Sequence, residues 1–350
     1  MSPLPRVPRL STAKLLKRLA QVAPREPKVT VGLDIGSTSV KVIALGPRKG
    51  PIARPVMGQS LIPVEDPQQA DASGAIRQAV DTLRLPVKAV NLSVSGPWVI
   101  LRVVELPTIS PAEMKQALPF EAQRYLPFSL QDVFLDGMVL GPAGSNKVWV
   151  LIVACKKELI ERRLDWVKRA GLEAGLIDVD ALALTNGFLA SRDGHQAEAA
   201  LALINVGAQL TNLVVLRGRL PYLVRDIPWG AEKLYRNLAE QVNVEAASVS
   251  QAFISRAVRP EWQAALKVAC EALATELQLS FDYFENRFGQ PPQEVLVSGG
   301  LGQSTELLEA LKGYFAQAVA PLESGERPLR PVCRRLRVSP ADRLRGHAED

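Results

Sequence analysis

One pattern, met twice about a domain apart, limits what this 350-residue chain can become. In Val31-Gly32-Leu33-Asp34-Ile35-Gly36-Ser37-Thr38-Ser39-Val40-Lys41, an apolar strand runs into an acid, a glycine follows two residues later, and a second apolar strand leaves. In Ala202-Leu203-Ile204-Asn205-Val206-Gly207-Ala208-Gln209-Leu210-Thr211 the layout repeats, with Asn205 at the place of Asp34. Each reads as a β-hairpin, with returning strands Val40 to Leu45 and Leu213 to Leu216. Such turns can offer backbone N–H groups and hydroxyls to phosphate oxygens, because glycine lets the backbone approach closely and adopt φ > 0. Two of them facing each other could clamp a polyphosphate. A third element, Glu294-Val295-Leu296-Val297-Ser298-Gly299-Gly300-Leu301, is a strand whose terminal glycine pair opens into a helix from Ser304 to Leu311. A glycine pair there is expected to admit a flat ring or a sugar against the backbone.

Length and an apolar content of 47% allow a large core and argue for two domains. The longest uninterrupted apolar run, Val148 to Cys155, falls far short of the ~20 residues that a membrane-spanning helix needs. Residues 1–28 lack the continuous apolar stretch of a secretory signal, so a cytoplasmic location is expected. Cys155, Cys270 and Cys333 are too scattered for a disulfide framework or a zinc knuckle, and two histidines make a His-based metal or catalytic site a poor expectation. The formal charge of +6 sits at the chain ends, without aromatic interleaving or a recognition helix, so no specific nucleic-acid binding is expected. Within the basic segment 1–28, Ser11 could cap a short helix placing Leu15, Leu16, Leu19 and Val22 on one side, with Lys14, Lys17 and Arg18 on or beside the other. That segment reads either as a solvated basic tail or as a peripheral contact with an anionic membrane surface.

Between the repeated hairpins the chain changes character. Residues 29–106 read as strands and one helix, Gln68 to Leu83, with an added strand at Val99 to Leu106. Ser110-Pro111-Ala112-Glu113 opens a capped helix that runs to about Arg124. Strands Val133 to Leu140 and Val148 to Cys155, a helix Lys157 to Ala170 and a strand Glu173 to Val179 complete a small α+β insert over residues 107–179. A helix from Asp180 to Ala190 and a linker return to the first unit over residues 180–198, residues 199–320 form the second, and 321–350 are an Arg- and Pro-rich tail. Helices at Ala231 to Gln241, about Val244 to Arg256 and Glu261 to Phe288 fill the second unit.

Hairpin, hairpin and strand-Gly-Gly in this order resemble the actin-like (ribonuclease H-like) ATPase superfamily, an α/β two-domain fold. The insert narrows the likeness. Leu106-Pro107-Thr108-Ile109-Ser110-Pro111-Ala112-Glu113, the run Gln116 to Phe128 containing Glu121-Ala122-Gln123-Arg124-Tyr125-Leu126-Pro127-Phe128, and Leu135 to Gly141 closely resemble the insert of the PilM family of type IV pilus assembly proteins. Ala170-Gly171-Leu172, Ile177 to Leu184 and Val224 to Ala231 fit the same family, so the likeness spans roughly residues 29–312.

The resemblance implies a cytoplasmic adaptor at the inner membrane. It would hold the N-terminal cytoplasmic peptide of a PilN-type inner-membrane protein in a groove between the first subdomain and the insert, near Phe120, Tyr125 and Phe128. Each of these aromatics, taken singly, reads equally well as packing in the core of the insert. The adaptor would link the PilN and PilO platform to the pilus motor. By the same pattern ATP and Mg2+ are the implied cofactors. Asp34 would hold magnesium through water, Gly36, Ser37 and Thr38 would wrap the β and γ phosphates, and Lys41 would add charge or simply be an exposed strand residue. Gly207 and Thr211 match the second phosphate turn, and Ser298, Gly299 and Gly300 the base and ribose side.

The chain also departs from the pattern. Most relatives carry an acid where this chain has Asn205, and the lost charge argues against hydrolysis. Gln251 and Ile254 stand where relatives have an acid and a lysine, and Pro228-Trp229-Gly230-Ala231 where they usually show paired glycines. Relatives end with a helix that runs back onto the first domain, a segment without a counterpart after Ala320. At most a weak ATPase is expected. The competing readings are an active ATPase or phosphotransferase on the same fold, and an FtsA-like membrane-tethered filament protein. Self-association stays open.

Overall fold

The computed structural model describes residues 29–47, 56–64, 71–191 and 199–322. The readings of segment 1–28, of the linker after Ser191, of the start of the helix placed at Gln68 and of the tail after Leu322 lie outside them.

The two hairpins are present and each seeds a sheet. Strands β1 (Thr30–Ile35), β2 (Ser39–Leu45), β3 (Val56–Pro63), β4 (Ala89–Val94) and β8 (Glu173–Val179) form a five-stranded sheet in the order β3-β2-β1-β4-β8. Strands β9 (Ala200–Val206), β10 (Thr211–Arg217), β11 (Leu220–Ile227), β12 (Glu294–Gly299) and β13 (Ala318–Pro321) form a second, in the order β11-β10-β9-β12-β13. Both have one plan: three antiparallel strands, then two parallel to the first. Strand β13 was not expected, because four residues with a terminal proline carry no alternation to read.

A third sheet, antiparallel in the order β5-β7-β6, joins β5 (Val99–Pro107), β6 (Val133–Pro142) and β7 (Lys147–Lys156). Strand β5, assigned to the first unit in the sequence reading, pairs with β7 along its whole length, from Val99 opposite Cys155 to Pro107 opposite Lys147. The three-stranded sheet therefore begins at Val99. A strand's alternation shows that it is half-buried but not which partner buries it, and the turn at Gly96, with φ +97°, redirects the chain between the sheets.

Helices cover the sheets where their sequences are amphipathic. Helix α1 (Ser73–Thr82) buries Ile76, Ala79 and Val80 on the first sheet. Helix α2 (Pro111–Gln123) starts in a complete capping box, with the Ser110 hydroxyl accepting from the Glu113 N–H and the Glu113 carboxylate accepting from the Ser110 N–H. It seals a small core of Val104, Leu106, Leu118, Ala122, Val150 and Ile152. Helix α3 (Lys157–Arg169) buries Leu159, Ile160, Trp166 and Val167, and α4 (Asp180–Ser191) returns from β8 toward the second half. Helices α5 (Ala231–Val242), α6 (Ala246–Ile254), α7 (Gln263–Phe288) and α8 (Thr305–Lys312) pack the second half, where the faces of β9 and β10 are both buried.

Candidate functional site

Register decides what the repeated hairpins present. In the first, Asp34 lies opposite Lys41, so both side chains leave the same face, and Lys41 Nζ donates to Asp34 Oδ2 at 2.8 Å. About half of each side chain is exposed, 47% for Lys41 and 49% for Asp34. The Gly36 N–H closes the turn on the Ser39 carbonyl at 3.0 Å, leaving Ser37 half-buried and Thr38 exposed at its tip.

The same register in the second hairpin sets Asn205 opposite Asn212, and Asn205 Nδ2 donates to Asn212 Oδ1 at 3.0 Å. An ion pair in one half thus corresponds to an amide pair in the other. The row continues along the sheet. Ser298, paired with Asn205, donates to the Ile204 carbonyl at 3.1 Å and approaches Asn205 Oδ1 at 3.4 Å. On the other side Asn212 Nδ2 donates to Asp226 Oδ1 at 2.7 Å, and the second Asp226 oxygen accepts the Gly96 N–H of the first half at 2.7 Å.

Other residues assigned to the site have structural duties. Thr211 is fully buried and its hydroxyl donates to the Trp229 carbonyl at 2.7 Å, so it clamps the turn to the segment before α5. Sequence position alone could not separate a turn hydroxyl that points out from one that points in. At Gly207 a Cβ would lie 2.8 Å from the Leu210 carbonyl oxygen, so glycine serves the tightness of the turn itself. Gly299, with φ +94°, would bring a Cβ to 2.2 Å from the Val206 carbonyl oxygen. Its missing side chain admits the neighbouring strand. Gly300 does face open space.

Beneath the first turn lie two charged groups that sequence reading did not single out. Asp180, the first residue of α4, accepts from the Ser95 hydroxyl at 2.5 Å, while its Oδ1 has no partner among the described residues. Burial, reinforced by the charge of Asp34, raises its pKa against the bonds from Ser93 and Ser95. Arg163 on α3 is buried with Nε and Nη1 unpartnered among the described residues. Burial pushes its pKa down to about 10, with Arg162 adding to the fall and Asp180 and Asp34 opposing it. Burial likewise raises the pKa of Asp226, against its bonds from Gly96 and Asn212. Polar residues within apolar strand sequence, such as Asp226 in Tyr222-Leu223-Val224-Arg225-Asp226-Ile227, were the available signal.

Around the insert the aromatics divide. Phe120 is 76% exposed and Tyr125 38%, and neither belongs to the insert's core. Phe128 is half-buried, and Lys156 lies over both its ring, at 5.8 Å, and that of Trp98, at 4.6 Å. Arg162 also covers Trp98, at 5.2 Å. Phe128, Trp98, Lys156 and Arg162 gather where β5, β7 and α3 meet, at the junction of the first sheet and the insert. Among the described residues no group of three or more His, Cys, Asp or Glu could hold a metal ion, and no helix is long and apolar enough to cross a membrane.

The fold has clear counterparts. It resembles a PilM-PilN type IV pilus biogenesis complex at 23% identity and a TM-score of 0.73, over 85% of this chain and 89% of that one. It also resembles the ethanolamine utilization protein EutJ of Carboxydothermus hydrogenoformans at 15% identity and a TM-score of 0.53, over 91% of this chain and 95% of that one. The two hairpin-seeded sheets and the insert have the actin-like α/β architecture. Residues 32–319 match the model of the family described as type IV pilus assembly protein PilM, and this chain belongs to that family.

Proposed function

We propose that the chain is a cytoplasmic adaptor of type IV pilus assembly, working at the cytoplasmic face of the inner membrane. It would hold the N-terminal cytoplasmic peptide of a PilN-type inner-membrane protein between the first sheet and the insert. The observation that carries this reading is the exposure of Phe120 and Tyr125 on an insert whose own core is complete without them. Large apolar side chains left exposed on the insert suit an extended peptide, which uses main-chain bonds and side-chain pockets. That a PilM of similar fold was solved with PilN supports the choice of partner. The test is a titration of the chain with the labelled cytoplasmic peptide of such a protein. Saturable binding that weakens in Phe120→Ala is the expected result, and no binding by the intact chain would overturn the reading.

For the cleft we propose ATP binding with little or no turnover. The first turn fits phosphates and a hydrated cation: Lys41 supplies positive charge, Asp34 an accessible carboxylate, and Ser37 and Thr38 a polar tip. In the second turn the Asn205 amide already bonds Asn212, and Asp226, the acid that Asn212 bonds in turn, is engaged on both oxygens. When bound, Mg2+ would screen phosphate charge from Asp34 through water. Titration with a fluorescent ATP analogue and magnesium, with Asp34→Ala as control, tests this. Saturable binding lost in the variant is expected, and no binding at millimolar ligand would mark the chain as a structural adaptor alone.

A further inference from the structure

The two five-stranded sheets share a plan but not their cover. Strands β9 and β10 are buried on both faces. On the first sheet burial alternates: Val31, Leu33, Val40, Val42, Val90 and Leu92 are buried on one face, while Gly32, Asp34, Lys41, Ile43, Asn91 and Ser93 line an open groove of about 870 Å³ on the other. Helix α4 walls one side of it through Ala183, Asn186 and Gly187. Ile43 is exposed, and Leu61, 57% exposed, also lines the groove. A parallel or mixed α/β sheet ordinarily has both faces covered, so this face lacks a partner among the described residues.

We propose that residues 11–22 of the same chain dock in this groove through Leu15, Leu16, Leu19 and Val22. Three observations select that occupant. The 28 residues that precede Val29 join the sheet at the near end of the groove, where groove-lining Leu45 stands opposite Thr30. The lengths agree. Residues 23–28 can reach about 20 Å, and a twelve-residue segment with the helical spacing read from the sequence is about 18 Å long. Six residues of β1 extend about 20 Å. The chemistry also agrees, since Ile43, Leu45, Leu61 and Leu176 match the apolar stripe. Residues 323–350 leave instead from β13, at the edge of the other sheet.

The experiment uses the full chain with Cys333→Ser, because Cys155 and Cys270 are buried. Leu19→Cys and Ile43→Cys are introduced together and treated with a short bismaleimide. Docking predicts an intramolecular cross-link that persists on dilution and is lost when Leu15→Ser and Leu16→Ser are added. Leu61→Cys, already at an exposed position, replaces Ile43→Cys should that variant fail to fold. A cross-linked dimer that fades on dilution would overturn the proposal in favour of a second copy. No cross-link with capture on anionic vesicles would overturn it in favour of a membrane, and no cross-link without capture would leave the groove to another partner.

Discussion

The backbone N–H of Gly96 donates to Asp226 at 2.7 Å across 130 residues of sequence, and this bond fastens the first half of the molecule to the second. The other Asp226 oxygen accepts from Asn212 at 2.7 Å, so one carboxylate organises both the second hairpin and the turn that launches the insert. Asp226→Ala leaves two donors without an acceptor in a partly buried place. Bonds to a charged group contribute about 1.5–3 kcal/mol each, so a loss of about 3 kcal/mol or more is expected. Urea unfolding checks this, and a midpoint unchanged from the parent chain would refute the clasp.

Asp180 gives a pH dependence of defined sign. Burial raises its carboxyl above the ordinary range, so the folded chain takes up this proton more readily than the unfolded one. The associated stability is fully present below the unfolded pKa near 4 and is lost as pH rises through the folded value. Asp226 acts in the same direction. Asp180→Asn retains an acceptor for Ser95 and removes the buried charge. Its melting temperature should therefore fall less than the parent's as pH rises from about 4 toward neutrality, and at neutral pH it should match or exceed the parent's. Thermal melts across that range are the measurement, and a lower Tm in the variant with an unchanged slope would sink the argument.

The hairpins, the capped start of α2 and the strand-Gly-Gly element were legible because each is local: Ser110, Pro111 and Glu113 cap a helix whatever lies elsewhere. The partner of β5 was not, since pairing of Val99 with Cys155 is decided 56 residues away. Within the site, Asp34 and Asn205 could be placed at turns, but not Lys41 onto Asp34 or Asn212 onto Asp226, which depend on hairpin register. Thr211 shows the limit most plainly: its neighbours in sequence suggest a phosphate turn, and only the fold turns its hydroxyl toward Trp229.

The glycine pair after β12 separates packing from binding. Gly299 combines φ +94° with a Cβ position 2.2 Å from the Val206 carbonyl oxygen, whereas Gly300 has nothing within 4 Å. Gly299→Ala should cost about 3 kcal/mol or more, near the upper range for point substitutions, and Gly300→Ala less than about 1 kcal/mol. Chemical denaturation of the two variants decides it, and equal losses would contradict the close approach of β12 to β9.

Lys41 and Thr211 should part in the opposite way. The Lys41–Asp34 pair is half exposed, and such pairs contribute about 0–1 kcal/mol, so Lys41→Met should leave stability nearly unchanged. If the first turn holds phosphates, the same variant weakens binding of the ATP analogue by about tenfold, the scale of one lost charged hydrogen bond. Thr211→Val removes a buried bond to Trp229, costing about 1 kcal/mol, and should leave nucleotide affinity alone. Loss of nucleotide binding in a stably folded Thr211→Val would return that hydroxyl to the site.

Phe120 offers the sharpest separation of folding from partner binding. With 76% of its surface exposed on α2, it adds little to the core sealed by Leu118 and Ala122 on the same helix. Phe120→Ala should therefore change stability by no more than about 0.5 kcal/mol, as surface substitutions do. Truncating an aromatic anchor of an interface typically costs about 2 kcal/mol or more, a loss of about thirtyfold in affinity for the PilN-type peptide. Leu118→Ala reverses the pattern, because it opens a cavity in the small core at a cost of about 2–5 kcal/mol. Parallel melts and peptide titrations on the two variants make the comparison. A Phe120→Ala chain that binds peptide as tightly as the parent would move the docking site away from the outer face of α2.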